Sequence, residues 1–178
     1  YNTGIDFMKY GFFAKAERKF LDDNMGLSFG FRVDADSFSE GSSMMDNFSP
    51  RMALTYNLTE DQTWKINASV GRYFKIPTYT MLGYQNSQRR FVNKEAKYTR
   101  SDHLVAGLEY APGNASRITL EGFYKKYSQY PISLIDGVSL ANKGGGFEVL
   151  GNEAISSDGK GKSYGVEALY QPVSYTHL

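Results

Sequence analysis

The sequence predicts an all-β fold, an antiparallel up-and-down meander of about seven strands, from three observations. Apolar and polar residues alternate with period two in seven separate stretches. The links between those stretches alternate between short and long. The composition is rich in aromatic residues and glycine, with Tyr 14, Phe 12, Trp 1 and Gly 18 among 178 residues, which suits strands and turns better than helices.

Leu27, Phe29, Phe31 and Val33 occupy one side of the clearest stretch, and Ser28, Gly30, Arg32 and Asp34 the other, without exception. A helix would scatter those four apolar residues around its circumference. Before it, Phe12, Ala14, Ala16 and Phe20 oppose Lys15, Glu17 and Lys19, with Arg18 the misfit. After it come Met52, Leu54 and Tyr56, then Trp64, Ile66, Ala68 and Val70 against Lys65, Asn67, Ser69 and Gly71. Leu104, Ala106, Leu108 and Tyr110 oppose His103, Gly107 and Glu109. Ile118, Leu120 and Tyr124 oppose Arg117, Thr119, Glu121 and Lys125, and Tyr164, Val166, Ala168 and Tyr170 oppose Ser163, Gly165, Glu167 and Gln171.

The short links are rich in turn formers: Asp22-Asp23-Asn24, Thr59-Glu60-Asp61-Gln62 and Pro112-Gly113-Asn114-Ala115. The long links run roughly over 36–48, 75–102 and 130–162. In an up-and-down meander alternate links share an end, so all the tight turns gather at one end and all the long loops at the other. A membrane barrel is built in this way, and its spanning strands are about ten residues long. A soluble lipocalin-like barrel or a sandwich with a solvated outer face remains the other fold consistent with the alternation.

Charge and composition exclude several classes. With Lys+Arg 20 against Asp+Glu 19 the formal net charge is +1, so the chain lacks the basic excess of a nucleic-acid binder. Cys 0 removes disulfides, thiolate metal sites and thiol catalysis. The mean hydropathy of −0.46 and the absence of long apolar runs exclude spanning helices but not spanning strands. No export signal opens the chain, and the alternation breaks at Pro172. Residues 1–171 are expected to be a partial barrel, because single-chain barrels close with an even strand number. Residues 172–178 are expected to be a truncated or foreign tail.

Several phrases resemble the barrel of TonB-dependent outer-membrane receptors. Leu27-Ser28-Phe29-Gly30-Phe31-Arg32-Val33-Asp34 resembles that family's strand ending in Gly-x-Arg-x-Asp. Ser49-Pro50-Arg51 resembles the opening of the following strand, and Gly71-Arg72-Tyr73-Phe74-Lys75-Ile76-Pro77-Thr78 a strand-to-loop passage ending Phe-x-x-Pro-Thr. Gly107-Leu108-Glu109-Tyr110 and Gly165-Val166-Glu167 resemble two later strands. Where the family has Asn-Pro-x-Leu-x-Pro-Glu, this chain reads Val92-Asn93-Lys94-Glu95-Ala96-Lys97. The resemblance implies an internal piece of a 22-stranded transmembrane β-barrel of the bacterial outer membrane. It also implies import of a scarce ligand, be it siderophore, corrinoid, peptide or glycan. The partners implied are outer-membrane lipid, the receptor's own plug domain and the TonB complex, with no nucleic acid and no cofactor. A passive porin, a small outer-membrane barrel enzyme and a soluble β-barrel or sandwich binding protein are the alternatives.

No catalytic residue is expected. Ser101, Asp102 and His103 adjoin, but neighbours on a strand point to opposite faces. Gly144-Gly145-Gly146 lacks the continuation of a phosphate loop. The carboxylates Asp136, Glu148, Glu153 and Asp158 share a loop without the spacing of a calcium site, so no metal is expected. The alternation assigns Arg32, Asp34, Lys65, Asn67, Glu109, Arg117, Glu121 and Glu167 to the lumen. The fourth link concentrates Arg89, Arg90, Lys94, Lys97 and Arg100 among Tyr79, Tyr84, Phe91 and Tyr98. Its expected ligand-binding set is Arg89, Arg90, Lys94, Tyr84 and Tyr98, through charge-assisted hydrogen bonds and stacking. Contact with lipopolysaccharide phosphates, or simple solubility, is the competing use of those charges.

Overall fold

The computed structural model describes residues 4–113, 116–143 and 150–172. It contains one sheet of seven strands in sequence order: β1 (Lys9–Phe20), β2 (Met25–Asp36), β3 (Ser49–Asn57), β4 (Trp64–Lys75), β5 (Thr99–Tyr110), β6 (Ser116–Ser133) and β7 (Ile155–Pro172). Every neighbouring pair is antiparallel, as the meander requires. No helix among the described residues is long and apolar enough to cross a membrane.

The register carries one apolar face across all seven strands. Ala16, Phe29, Met52 and Val70 are successive partners, and Val70 continues through Leu104 and Tyr124 to Tyr164. These side chains are exposed in large part: Phe29 is 52 %, Leu104 55 % and Val166 73 % accessible. A sheet that leaves its apolar face outward makes sense only against another apolar medium. Arg18 sits on this face beside the first turn, where its guanidinium lies 5.2 Å from the Phe20 ring centroid and its stem covers apolar surface.

Aromatic residues mark both ends of the apolar face. Near the short turns Trp64 stacks on Tyr110 at 4.4 Å. Toward the long loops Phe12, Phe31 and Phe48 form a chain with centroids 5.9 and 5.7 Å apart. Tyr73 and Tyr127 are partners of Ser101 and lie on the opposite, charged face.

The tight turns are built locally. Leu21, Asp22 and Asp23 all have positive φ, and Asn24 N–H donates back to Leu21. At the second turn the Asp61 carboxylate accepts from Thr63 N–H and falls to a pKa of about 2, chiefly through hydrogen bonds from Thr59 and Thr63. Asn114 and Ala115 of the third turn lie outside the described residues, as do Gly144-Gly145-Gly146, Glu148 and the expected foreign part of the tail, 173–178.

Strand lengths depart from the expectation of about ten residues, because β6 and β7 run to 18 each. Pairing continues through register shifts between Tyr127, Tyr130 and Ile132, with Gln129 at φ 57°. The sixth link is therefore much shorter than its polar sequence suggests. A β-bulge absorbs the unpaired residue and lets the hairpin extend past the point where alternation becomes irregular.

Candidate functional site

The buried apolar residues do not lie between layers of sheet. Val33 and Ala35 are buried at the loop end of β2, while Met81, Leu82, Ala96, Tyr98 and Leu140 are buried beyond it toward the long loops, and Leu82 is fully inaccessible. The three long links thus pack into a cap with a small core of its own. Loop four contributes a short helix, α1 (Tyr79–Leu82), and a bridge between Gln85 and Phe91.

Asn93 joins loops four and six. Its side-chain N–H groups donate to Met81 and Glu153 carbonyls, each at 2.8 Å, and its oxygen accepts from Ile155 N–H at 3.0 Å. Lys97 N–H donates to Ser157 Oγ at 2.9 Å. Loop two is tied in by Glu40 N–H, which donates to the Lys94 carbonyl at 2.7 Å. Gly41 packs so closely on the Glu95 carbonyl that any Cβ there would collide with it. Aromatic rings continue the seam: Phe38 meets Phe91 at 5.0 Å and Phe7 at 6.1 Å, and Phe7 meets Tyr79 at 5.4 Å.

The expected ligand-binding residues divide in this cap. Arg89 and Arg90 are exposed at the tip, with no carboxylate partner among the described residues. Asn86 shapes that tip: its Oδ1 accepts from Gln88 and Arg90 N–H, and Arg89 takes φ 58°. Tyr84 is partly exposed. Lys94 is engaged already, 2.9 Å from Glu40 and 5.6 Å from the Phe38 centroid. Tyr98 is only 3 % accessible, and its hydroxyl donates to Asp36 Oδ2 at 2.8 Å. Burial and the Asp36 carboxylate push its pKa up. Tyr98 is a packing residue of the cap, without a free ring face for stacking.

In loop six, Ser133 Oγ donates to Glu153, and Lys143 Nζ bridges Glu153 at 2.9 Å and Asp136 at 2.8 Å. The Lys143 ammonium, through its hydrogen bond, holds the Asp136 carboxyl below the usual range and is itself raised. Two of the four loop carboxylates are therefore satisfied by a lysine. No cluster of metal-ligating side chains occurs among the described residues.

On the charged face beneath the cap lies an open cleft of ≈ 820 Å³. Lys9, Arg32, Arg51 and Lys75 line it with Asp34, Tyr10 and Phe13. Arg51 stacks on Tyr73 at 4.3 Å, and Tyr73 on His103 at 4.6 Å. Ser101 Oγ lies 2.6 Å from His103 Nε2, while Asp102 faces the other way onto Arg72 and Arg100, so the three adjoining residues form no triad. The alternation alone does not signal this cleft, because its basic residues come from four strands and only register brings them together.

All eight residues assigned to the inner side fall on the charged face. Arg32 pairs with Asp34 at 2.6 Å, and Glu109 is held between Lys65 at 3.4 Å and Arg117 at 3.2 Å. Glu121 stands directly opposite Glu167, in the row that runs through Asn67 and Gly107.

A family model described as "TonB dependent receptor-like, beta-barrel" matches residues 1–177. The siderophore receptor PirA from Pseudomonas aeruginosa is similar at TM-score 0.64 and 17 % identity, over 91 % of this chain and 28 % of that one. The FrpB iron transporter from Neisseria meningitidis (F3-3 variant) is similar at TM-score 0.63 and 15 % identity, over 95 % and 24 %. The copper transporter OprC gives TM-score 0.62 and 16 % identity, over 96 % and 27 %. No curated protein matches in sequence. The chain spans about a quarter of the length of the solved structures it resembles.

Proposed function

The chain belongs to the TonB-dependent receptor-like β-barrel family, and from that premise we propose that it forms wall and extracellular loops of a TonB-driven importer in the bacterial outer membrane. The apolar face, from Ala16 and Phe29 to Tyr164, then meets lipid. The charged face lines the lumen of a 22-stranded barrel and meets the plug domain. Arg32 pairs with Asp34, and Lys65 and Arg117 share Glu109, within the wall. Glu121 and Glu167, which have no ion pair among the described residues, offer their carboxylates to cationic groups of the plug. In this reading the protein acts as a transporter, and none of these residues is asked to make or break a bond.

One observation carries the reading: a basic, aromatic-edged cleft opens on the inner face directly under an ordered loop cap whose tip presents Arg89 and Arg90. Such an arrangement draws in an anionic ligand at range and then holds it in a partly dehydrated basin. The relatives named for siderophore and iron fit an anionic chelate, and peptide, glycan or corrinoid cargo fits less readily with so many cations. In the full-length receptor, Arg89→Ser with Arg90→Ser is expected to slow uptake of anionic ferric chelates roughly 5-fold at low ionic strength, and less in high salt. Neutral chelates should be imported at the same rate by both proteins. Equal uptake of every anionic chelate, with the barrel folded, would remove loop four from ligand capture.

A further inference from the structure

The charged face carries a row in which basic side chains meet no carboxylate. Register sets Arg51 opposite Gly71, Gly71 opposite His103 and His103 opposite Lys125, so the row crosses the inner side from β3 to β6. Its first member also lines the cleft under the cap, and the row leads sideways from there. Arg51, His103 and Lys125 have no ion pair among the described residues. The acids Glu109, Glu121 and Glu167 of the same face stand nearer the short turns. Asp102, next to His103 in the chain, turns to the outer face onto Arg72 and Arg100.

Rings laid over glycines hold the row against the wall. A Cβ at Gly71 would lie 3.0 Å from the Tyr73 hydroxyl and 3.1 Å from its ring, so Tyr73 lies down across Gly71 and fills the gap between Arg51 and His103. Phe123 covers Gly165 in the same way, and Lys125 Nζ rests 4.8 Å from the Phe123 centroid. The His103 ring has Tyr73 stacked on it, Ser101 Oγ 2.6 Å from its Nε2, and Lys125 across the ladder. Ser101 suits either state of the imidazole, because a hydroxyl donates to a bare ring nitrogen and accepts from a protonated one. Beyond these, Lys75 faces inward from β4, Arg51 from β3, and Tyr127 and Glu121 from β6.

A positive charge on His103 would be the third in this row, and Arg51 and Lys125 oppose it. A carboxylate or phenolate seated against the row reverses that balance, since it attracts all three. We infer that His103 is a proton-linked seat for an anionic group of the cargo. The ring takes a proton from the medium as the anion settles between it and Lys125, and the complex tightens as the medium acidifies. Of the side-chain types that face the row, only an imidazole titrates near neutrality. The inference rests on the anionic-cargo reading proposed above and adds to it a dependence on pH that the lysines and arginines of the cleft do not supply.

The test titrates the full-length receptor in nonionic detergent with carboxylate-bearing ferric chelates, ferric citrate among them, and with a neutral ferric trihydroxamate. Calorimetry at about pH 7 in two buffers of different ionisation heat counts the protons taken up per chelate bound. With an anionic chelate the wild type is expected to take up about half a proton more than His103→Gln. Between about pH 6 and pH 8 it should also lose about 5-fold more affinity than that variant. Protons bound by the chelate itself cancel in both differences. The wild type should take up none with the trihydroxamate. Lys125→Gln should weaken anionic binding roughly 5-fold, and Lys125→Arg should restore it. Equal proton counts for wild type and His103→Gln, equal counts for anionic and neutral chelates, or unchanged anionic affinity in Lys125→Gln would each overturn the seat. Heat-modifiable mobility scores barrel folding separately, and His103→Asn serves if His103→Gln does not fold. A wild type that binds no anionic chelate would overturn the proposed function as well, whereas anionic binding without the extra proton would overturn the seat alone.

Discussion

Asn93 is the residue on which the loop cap turns. It is 2 % accessible and satisfies two carbonyls and one amide that belong to different loops. No sequence motif marks it, since an asparagine in a polar link is ordinarily a turn former. Asn93→Ala would take that partner from the Glu153 carbonyl and the Ile155 N–H in a buried place and leave the Met81 carbonyl with Tyr84 N–H alone. The expected cost to the closed cap is about 2–4 kcal/mol, seen as faster amide exchange in loops four and six while the strands stay protected. Unchanged exchange in those loops would mean that water or a neighbouring group replaces the side chain. Tyr98 makes the complementary point. An aromatic residue in a basic link reads as a stacking platform, yet its hydroxyl and ring close the cap against Asp36, and only the fold distinguishes the two uses.

At the level of the strand, alternation on β2 distinguishes two faces that differ in everything but distance from the turn. Phe29→Arg places a charge on the apolar face and is expected to destabilise the full-length barrel in lipid by about 2–4 kcal/mol. Ser28→Arg, one position away on the charged face and opposite Glu17, should cost less than about 1 kcal/mol. Equilibrium unfolding in lipid vesicles measures both, and similar costs would mean that the apolar face does not meet hydrocarbon. The seven strands, their order and both faces were readable because a period of two survives any loop sequence, and register follows from tight turns. The upper ends of β6 and β7 were not readable, because a bulge at Gln129 shifts the pattern just where the sixth link was expected to begin. Nor was the cleft, whose Lys9, Arg32, Arg51 and Lys75 are far apart in the chain.

Taken whole, the sheet has two open edges, since β1 and β7 each pair on one side only among the described strands. In a complete receptor both edges would be covered by further strands of the barrel. The isolated chain in detergent is therefore expected to exchange its β1 and β7 amides much faster than those of β3 to β5, and the full-length protein to level that gradient. A gradient that persists in the full-length protein would place these strands at a real edge. The cap has a different bearing on how such a molecule works. Met81, Leu82, Ala96 and Leu140 are buried by the fold of the chain itself. Loops held by their own core and by Asn93 have little conformational freedom left to lose when a ligand arrives at the surface. Capture can then be both quick and readily reversed, and tight retention falls to whatever force next draws the cargo inward.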